Sequence, residues 1–185
     1  SRALKDFDMK PFEIEVKKIK SKNNVVYNDD ANNLIRKIEG DILYLDTPYT
    51  ITDYNSAYHL LETIAKYDKP EIKGKTGRRT DKGEKSPYST KTKALDAYED
   101  LIKHARFKNI IISYSTQSLI SIEELIEMLK KYSLGDVIIE YYPFREYKNI
   151  RSSQKGDNLR EALIYLKKNI EDSPNIIKSP LNYSG

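Results

Sequence analysis

The feature that most constrains the fold is an alternation of strand-like and helix-like segments along the chain. Two apolar runs, residues 41–45 and 109–114, are typical of strands buried on both faces of a parallel sheet. Amphipathic helical patterns follow both runs, the first over residues 58–67 with Leu60, Leu61, Ile64 and Ala65 on one side. This alternation predicts an α/β fold with a mainly parallel, doubly wound sheet.

The remaining segments are assigned from their periodicity. Alternating or β-rich patterns predict strands at residues 12–19, 25–27 and 136–142, and an antiparallel partner for the last of these at 161–166. Helical patterns start at Ala31 and stop at Gly40, then resume over residues 93–106. Ser121 and Glu124 have the spacing of a capping box that opens another helix.

Length and composition bound the kind of protein. A chain of 185 residues predicts one domain, residues 1–185, with a loosely ordered tail at 170–185. The absence of cysteine excludes a disulfide scaffold and a thiolate zinc site, and two histidines leave little room for a histidine metal site. No apolar run is long enough to cross a bilayer, so a cytoplasmic protein is expected, with no membrane partner and no metal.

Positive charge is concentrated in two segments. Residues 66–93 hold ten positive and four acidic side chains, and residues 145–160 hold five and two, although the whole chain is only +4. Residues 68–92 lack periodicity and predict a long basic loop. Two basic segments on an otherwise acidic chain indicate a surface that faces a polyanion, with a pair of solvated loops as the alternative.

The run 41–45 ends in the tetrapeptide Asp46-Thr47-Pro48-Tyr49. Ligands of open α/β sheets bind beyond the carboxyl ends of the strands, where this turn is expected. Pro48 stiffens the turn and sets the direction of the Thr47 carbonyl. A carboxylate, a carbonyl and an aromatic ring suit a planar group that bears an NH₂, such as a nucleobase amine. The alternative is that Asp46 caps a turn and Tyr49 packs against the sheet.

The surrounding residues resemble a known family. The segments 28–35, 41–49 and 54–65, together with Ile112-Ser113-Tyr114 and the predicted hairpin from Val137 to Tyr165, resemble the adenine-specific DNA methyltransferases of restriction–modification systems, in the branch that includes the Dam-type enzymes. The resemblance covers about residues 11–168. It implies a Rossmann-like S-adenosylmethionine-dependent fold with a C-terminal antiparallel hairpin.

The resemblance also implies roles for individual residues. Asp46 and the main-chain carbonyl of Thr47 would accept hydrogen bonds from the adenine amine, with Pro48 shaping the turn. Tyr49 would stack on an adenine flipped out of double-stranded DNA. Asp30 and Asp46 would contact the cofactor, S-adenosylmethionine. Five basic residues are the candidates for contact with DNA phosphates: Arg78, Arg79, Arg145, Lys148 and Arg151.

Two departures from the family pattern lead to further expectations. Thr47 stands where the family has its first proline, so the turn is expected to lose some stiffness. The family's glycine-rich cofactor segment is not found, which predicts that this sequence is the C-terminal part of a catalytic domain. A missing N-terminal segment or chain, or a homodimer, would then complete the cofactor site.

Two other functions remain open on the sequence. The basic segments would also suit a noncatalytic DNA-binding fragment or subunit that binds no cofactor. The Asp-x-Pro-Tyr chemistry would equally suit methylation of an amine in RNA or protein. Only the sequence context around the turn favours adenine in DNA.

Overall fold

The computed structural model describes residues 23–51, 57–75, 77–81, 85–143 and 160–176. Its strands in chain order are β1 (Glu39–Leu45), β2 (Ile72–Lys73), β3 (Arg78–Arg79), β4 (Arg106–Ser115), β5 (Ile138–Pro143) and β6 (Arg160–Lys167). Its α-helices are α1 (Ala31–Leu34), α2 (His59–Lys66), α3 (Lys91–His104) and α4 (Ile122–Lys130). The strand predicted at residues 12–19 lies outside the described residues. None of the described helices has the length and apolar character needed to cross a membrane.

Four strands form one mixed sheet in the order β1-β4-β6-β5. β1 runs parallel to β4, whereas β6 is antiparallel to both β4 and β5. The sheet is therefore mixed: β1 and β4 form the parallel part that the sequence predicts, and the other two pairings are antiparallel. The reason is that β6 turns back from β5 and inserts between β5 and β4, so it opposes both neighbours. The antiparallel partnership predicted for residues 136–142 and 161–166 is confirmed.

The core is built on the alternation of side chains along β4 and β6. Ile110, Ile112 and Tyr114 alternate with partly exposed residues on β4, and each is paired in register with a buried residue of β6. The buried faces of α3 and α4 belong to the same apolar cluster. Their members have the spacing of one helical face: Ala94, Tyr98, Leu101 and Ile102 on α3, and Ile122, Leu125, Met128 and Leu129 on α4.

The start of α4 confirms the capping box predicted from the sequence. The Ser121 hydroxyl accepts a hydrogen bond from the Glu124 amide at 3.2 Å, and the Glu124 carboxylate accepts one from the Ser121 amide at 3.0 Å. Two backbone donors at the helix N-terminus are thereby satisfied.

The prediction that β1 is buried on both faces is wrong. Ile42 and Tyr44 are 63% and 57% exposed, and only Leu45 is buried. Within the described residues β1 pairs with β4 alone and forms an edge of the sheet. Helix α2 is confirmed at His59–Lys66, but its apolar side is also open, with Leu60, Leu61 and Ile64 more than 60% exposed.

The segment before β1 differs from its prediction in two places. Residues 25–27 form no strand, and α1 ends at Leu34 rather than continuing to Gly40. Gly40 instead lies inside β1, opposite Phe107 of β4. A Cβ at Gly40 would lie 2.8 Å from Cε1 of Phe107, so the close approach of the two strands, and not a helix end, explains this glycine.

The segment 68–92 is more structured than the predicted loop. β2 and β3 form a short antiparallel hairpin, and a 3-10 turn follows at Pro87–Ser89, where Tyr88 is buried. Helix α3 then starts at Lys91, two residues before the predicted start. Tyr88 is buried by contacts with distant parts of the chain, which the polar residues next to it in the sequence do not indicate.

In the tail that the sequence predicts to be loosely ordered, residues 170–185, Ser173 is buried against the end of α3. Its hydroxyl donates a hydrogen bond to the carbonyl of Ala105 at 3.2 Å and contacts Nζ of Lys168. Lys168 is itself buried and donates to the same carbonyl at 2.7 Å. Burial lowers the pKa of Lys168 to about 8. Residues 177–185 lie outside the described residues.

We expect the stability of the protein to rise relative to that of the Lys168→Met variant between about pH 8 and pH 10.5. The folded-state pKa of Lys168 lies below its unfolded value, so the unfolded chain binds more protons in this window and unfolding becomes costlier as pH rises. The slope should reach at most about 1.4 kcal/mol per pH unit. Denaturant unfolding of both proteins at several pH values measures it, and a constant difference would contradict the assignment.

Candidate active site at the carboxyl end of β1

The turn Asp46-Thr47-Pro48-Tyr49 lies where the sequence predicts, directly after β1. Because β1 and β4 are parallel, the turn lies beside the last residues of β4, where β6 begins. Asp46 is exposed, whereas Thr47, Pro48 and Tyr49 are half-buried. A solvent-facing carboxylate is thus held on a turn whose other side chains reach into the protein.

Thr47 is anchored by a tyrosine of α3. Its hydroxyl is hydrogen-bonded to the hydroxyl of Tyr98, whose side chain is only 1% exposed. Burial raises the pKa of Tyr98 above its ordinary value, so this phenol stays neutral in the physiological range. The loss of stiffness expected from Thr47 in place of proline is therefore offset by a side-chain hydrogen bond to the core.

Tyr49 is held on three sides. Its carbonyl accepts a hydrogen bond from the Leu119 amide at 2.9 Å, and its ring meets that of Tyr114 edge-on, with centroids 5.9 Å apart. Its hydroxyl donates to Oε1 of Glu161 at 3.4 Å. The Tyr49 side chain is thus held by the loop after β4, by Tyr114 of the core and by Glu161 near the start of β6.

Four tyrosines form a continuous edge-to-face row from the turn into the protein. Tyr114 also contacts Tyr98 at 6.0 Å, and Tyr98 contacts Tyr88 at 5.0 Å, both at interplanar angles of 82°. Each such contact contributes about 0.5–1.5 kcal/mol beyond burial. This packing shows that Tyr88, Tyr98 and Tyr114 support the turn.

Asp30 lies at the far end of this row. Its carboxylate caps α1 by accepting a hydrogen bond from the Asn33 amide at 3.0 Å, and its charge contributes to raising the pKa of Tyr88, after burial as the larger cause. The Tyr88 hydroxyl donates to Oδ1 of Asn32 at 2.5 Å. The charge of Asp30 thus acts on Tyr88, and the charge of Asp46 on Tyr98, at two places along the row.

Glu161 is a residue of this site that the sequence analysis missed. Burial raises its pKa, and the nearby charge of Asp46 adds to the increase, while the hydrogen bond from Tyr49 opposes it. The only signal in the sequence is a charged residue at the start of a strand that is otherwise apolar on alternate positions. Its proximity to a turn 112 residues earlier depends on strand order.

The basic candidates have different surroundings. Arg78 is exposed, but the side chain of Arg79 is only 4% exposed and is paired with Asp68 and Asp81 at 2.5 and 2.7 Å. These carboxylates raise the pKa of Arg79, so it keeps its charge while it closes the hairpin onto the end of α2. Arg145, Lys148 and Arg151 lie outside the described residues. Among the described residues no cluster of three metal-binding side chains occurs.

The chain is similar in sequence to several known methyltransferases. The chain is 46% identical over 188 residues to the modification methylase LlaI of Lactococcus lactis subsp. lactis, an alignment that covers the whole chain and 29% of that protein. It is 42% identical over 179 residues to the type II methyltransferase M.FokI of Planomicrobium okeanokoites, covering 88% of the chain and 28% of that protein. With M.NlaIII of Neisseria lactamica it shares 38% identity over 168 residues, covering 89% of the chain and 50% of that protein.

The chain therefore spans half or less of the length of these relatives. No solved structure matches it. The family model of the D12 class N6 adenine-specific DNA methyltransferases matches residues 1–128, which is more than half of the chain and includes the turn after β1. The family resemblance seen in the sequence is thereby confirmed, and the chain belongs to the D12 class N6 adenine-specific DNA methyltransferases.

Proposed function

We propose that this chain is the catalytic part of an enzyme that transfers a methyl group from S-adenosylmethionine to the exocyclic amine of adenine in double-stranded DNA, within a restriction–modification system. The observation that supports this most directly is the turn after β1, where an exposed carboxylate, a fixed carbonyl and an oriented tyrosine ring lie together. The family membership and the printed names of the relatives, modification methylases and type II methyltransferases, agree with it.

The proposed chemistry follows from the three groups. Asp46 and the Thr47 carbonyl accept the two hydrogens of the adenine amine, which leaves the nitrogen lone pair directed at an electrophile. Tyr49 stacks on the base after it leaves the duplex. In the proposed reaction the amine nitrogen would form a bond to the methyl carbon as the carbon–sulfur bond breaks, the sulfur would keep the electron pair as a neutral thioether, and the nitrogen would release a proton to water. Positioning and electrostatics supply the catalysis.

The cofactor residues are Asp30 and Asp46, as the family resemblance implies. S-adenosylmethionine, when bound, supplies a methyl group activated by its positive sulfur. Two carboxylates at the ends of one tyrosine row suit such a ligand, because it carries a positive sulfur and amine donors. Asp46 is exposed, and the position of Asp30 is fixed by its contact with α1.

The Rossmann-like character of the fold is part of the same proposal. A Rossmann-like methyltransferase sheet agrees with the parallel pair β1 and β4 followed by an antiparallel β6. That residues 1–185 form one domain, the C-terminal part of a catalytic domain completed by another segment, chain or copy, stays a prediction.

The test is a transfer assay with the full-length protein and labelled S-adenosylmethionine. We expect label in unmethylated duplex DNA, recovered as N6-methyladenine after digestion, and little transfer to RNA or to protein offered at the same concentration. Preferred labelling of RNA or protein, or DNA binding without any transfer, would overturn the proposal in favour of one of the two alternatives.

Arg78 is the described residue that tests the proposed DNA contact, because Arg79 is paired with Asp68 and Asp81. We expect Arg78→Ala to weaken DNA binding about three- to tenfold for every sequence and to reduce the salt dependence by about one counterion, because Arg78 is exposed and available to a phosphate. Affinity measured over a range of salt tests this. Lys131→Ala, directly after α4, is the control and should leave the affinity unchanged, because Lys131 is paired with Glu99.

A further inference from the structure

Glu161 has a half-buried carboxylate at the start of β6. In register it pairs with Ser115 of β4 on one side and with Tyr142 of β5 on the other. Paired residues of antiparallel strands project from the same face of a sheet, so all three side chains share one face. A half-buried carboxylate among a serine and a tyrosine is costly unless it has a specific partner.

Tyr49 is that partner. Its hydroxyl donates to Glu161 at 3.4 Å, a long hydrogen bond of the kind that tightens when a catalytic site closes on its substrate. The other end of the ring is fixed, because the Tyr49 carbonyl accepts from Leu119 and the ring edge meets Tyr114. Without Glu161 the base of the side chain would keep its location, but the hydroxyl end of the ring would lose the contact that holds it.

Charged and titratable residues from two neighbouring elements face Glu161. Asp46 and Tyr49 face it from the turn after β1, Tyr142 faces it from β5, and Tyr142 in turn donates to Glu140 at 2.5 Å. Glu161 therefore interacts with two residues of the turn, Asp46 and Tyr49, which have different roles in the proposed reaction. It touches the stacking residue, and it is repelled by the carboxylate that accepts the amine.

We infer that Glu161 is a positioning residue for the methyl transfer proposed above, acting on the flipped adenine through the hydroxyl of Tyr49. The inference rests on the proposed function. Glu161 contacts neither the base nor the cofactor in this role. It holds the hydroxyl end of the Tyr49 side chain and thereby limits the tilt of the ring on which the base stacks, so that the amine nitrogen is delivered at the angle the reaction needs.

The test is a double-mutant cycle in the full-length protein between Glu161→Ala and Tyr49→Phe. We expect Glu161→Ala to lower kcat about tenfold with KM for S-adenosylmethionine within about twofold of wild type, since a mispositioned base slows the chemical step. In the Tyr49→Phe background, which keeps the ring but lacks the hydroxyl, the same substitution should cause no further loss. Equal losses in both backgrounds, or no loss in either, would overturn the inference.

A conservative variant and a control separate positioning from general damage. Glu161→Gln keeps a side-chain oxygen that accepts the Tyr49 hydrogen bond, so its kcat should stay within about threefold of wild type. Glu127→Ala, on the exposed side of α4, should match wild type. A loss in Glu161→Gln as large as that in Glu161→Ala would assign the effect to charge and not to the hydrogen bond.

Two readouts do not depend on turnover. With 2-aminopurine at the target adenine, stacking on Tyr49 quenches fluorescence, and Glu161→Ala should weaken the quenching at saturating protein. Denaturant unfolding of the four proteins of the cycle should show non-additive losses of stability if the Tyr49–Glu161 contact exists. Non-additive stability in a wild-type protein that transfers no methyl group would overturn the proposed function while confirming the contact, whereas additive stability would overturn the inference.

Discussion

Asp46→Ala is expected to reduce methyl transfer by at least about 1000-fold while the protein remains folded. Removal of one preorganised group that meets charge developing in a transition state costs about 100- to 1000-fold, and Asp46 is also proposed to contact the cofactor. Because the side chain is exposed, its removal leaves no cavity in the core. Single-turnover transfer measures the loss, and circular dichroism with thermal unfolding measures the fold.

The strand offers a matched control for this substitution. Asp41 lies on β1, the strand that precedes Asp46, is exposed, and pairs with Lys108 at 2.8 Å. Surface ion pairs of this kind contribute about 0–1 kcal/mol, so Asp41→Ala should leave both activity and stability close to wild type. Equal activity of Asp46→Ala and Asp41→Ala would remove the turn from the mechanism, and with it the proposed function.

Tyr98→Phe should lower kcat about tenfold and destabilise the protein by about 1 kcal/mol. The substitution keeps the ring, and thus the contacts with Tyr88 and Tyr114, but deletes the hydroxyl that is bonded to Thr47. The turn would then have neither the family's first proline nor a side-chain anchor, and the Thr47 carbonyl would lose its fixed direction. Steady-state kinetics and denaturant unfolding measure the two effects.

A second substitution distinguishes stiffness from other roles of the hydroxyl. If the hydrogen bond replaces the rigidity of a proline, Thr47→Pro in the Tyr98→Phe background should restore most of the lost kcat, because proline fixes its own backbone angle. A double variant that is no more active than Tyr98→Phe would contradict this explanation of Thr47. The neutral state of Tyr98 predicts that its contribution does not change between pH 6 and pH 9.

Local patterns predicted the elements of the core well. The capping box at Ser121, the helix α3, the strand β4 and the hairpin of β5 with β6 all appear close to their expected bounds. These elements alternate or repeat their apolar residues at a fixed period, so one buried face follows from the sequence. Where a short segment lacked such a period, as at residues 25–27, intrinsic β-propensity did not produce a strand.

The errors arise where the position of a residue depends on a distant partner. Gly40 was interpreted as a helix stop, but it is explained by Phe107, which approaches it across the parallel pair. The apolar run in β1 was interpreted as buried, but burial requires elements on both faces and a strand at the open edge. The sequence predicts a loop at Tyr88 and a loosely ordered tail at Ser173, but both residues are buried by contacts from elsewhere in the chain.

The sequence by itself determined the chemistry of the turn, because an acid, a carbonyl before a proline and an aromatic ring occur within four consecutive residues whose order cannot be changed by folding. It also determined the family, because several motifs occur in one order along the chain. Only the tertiary structure decided what holds the turn. Tyr98, Tyr114 and Glu161 reach it from α3, β4 and β6, and such contacts depend on strand order and register, which periodicity within one segment does not encode.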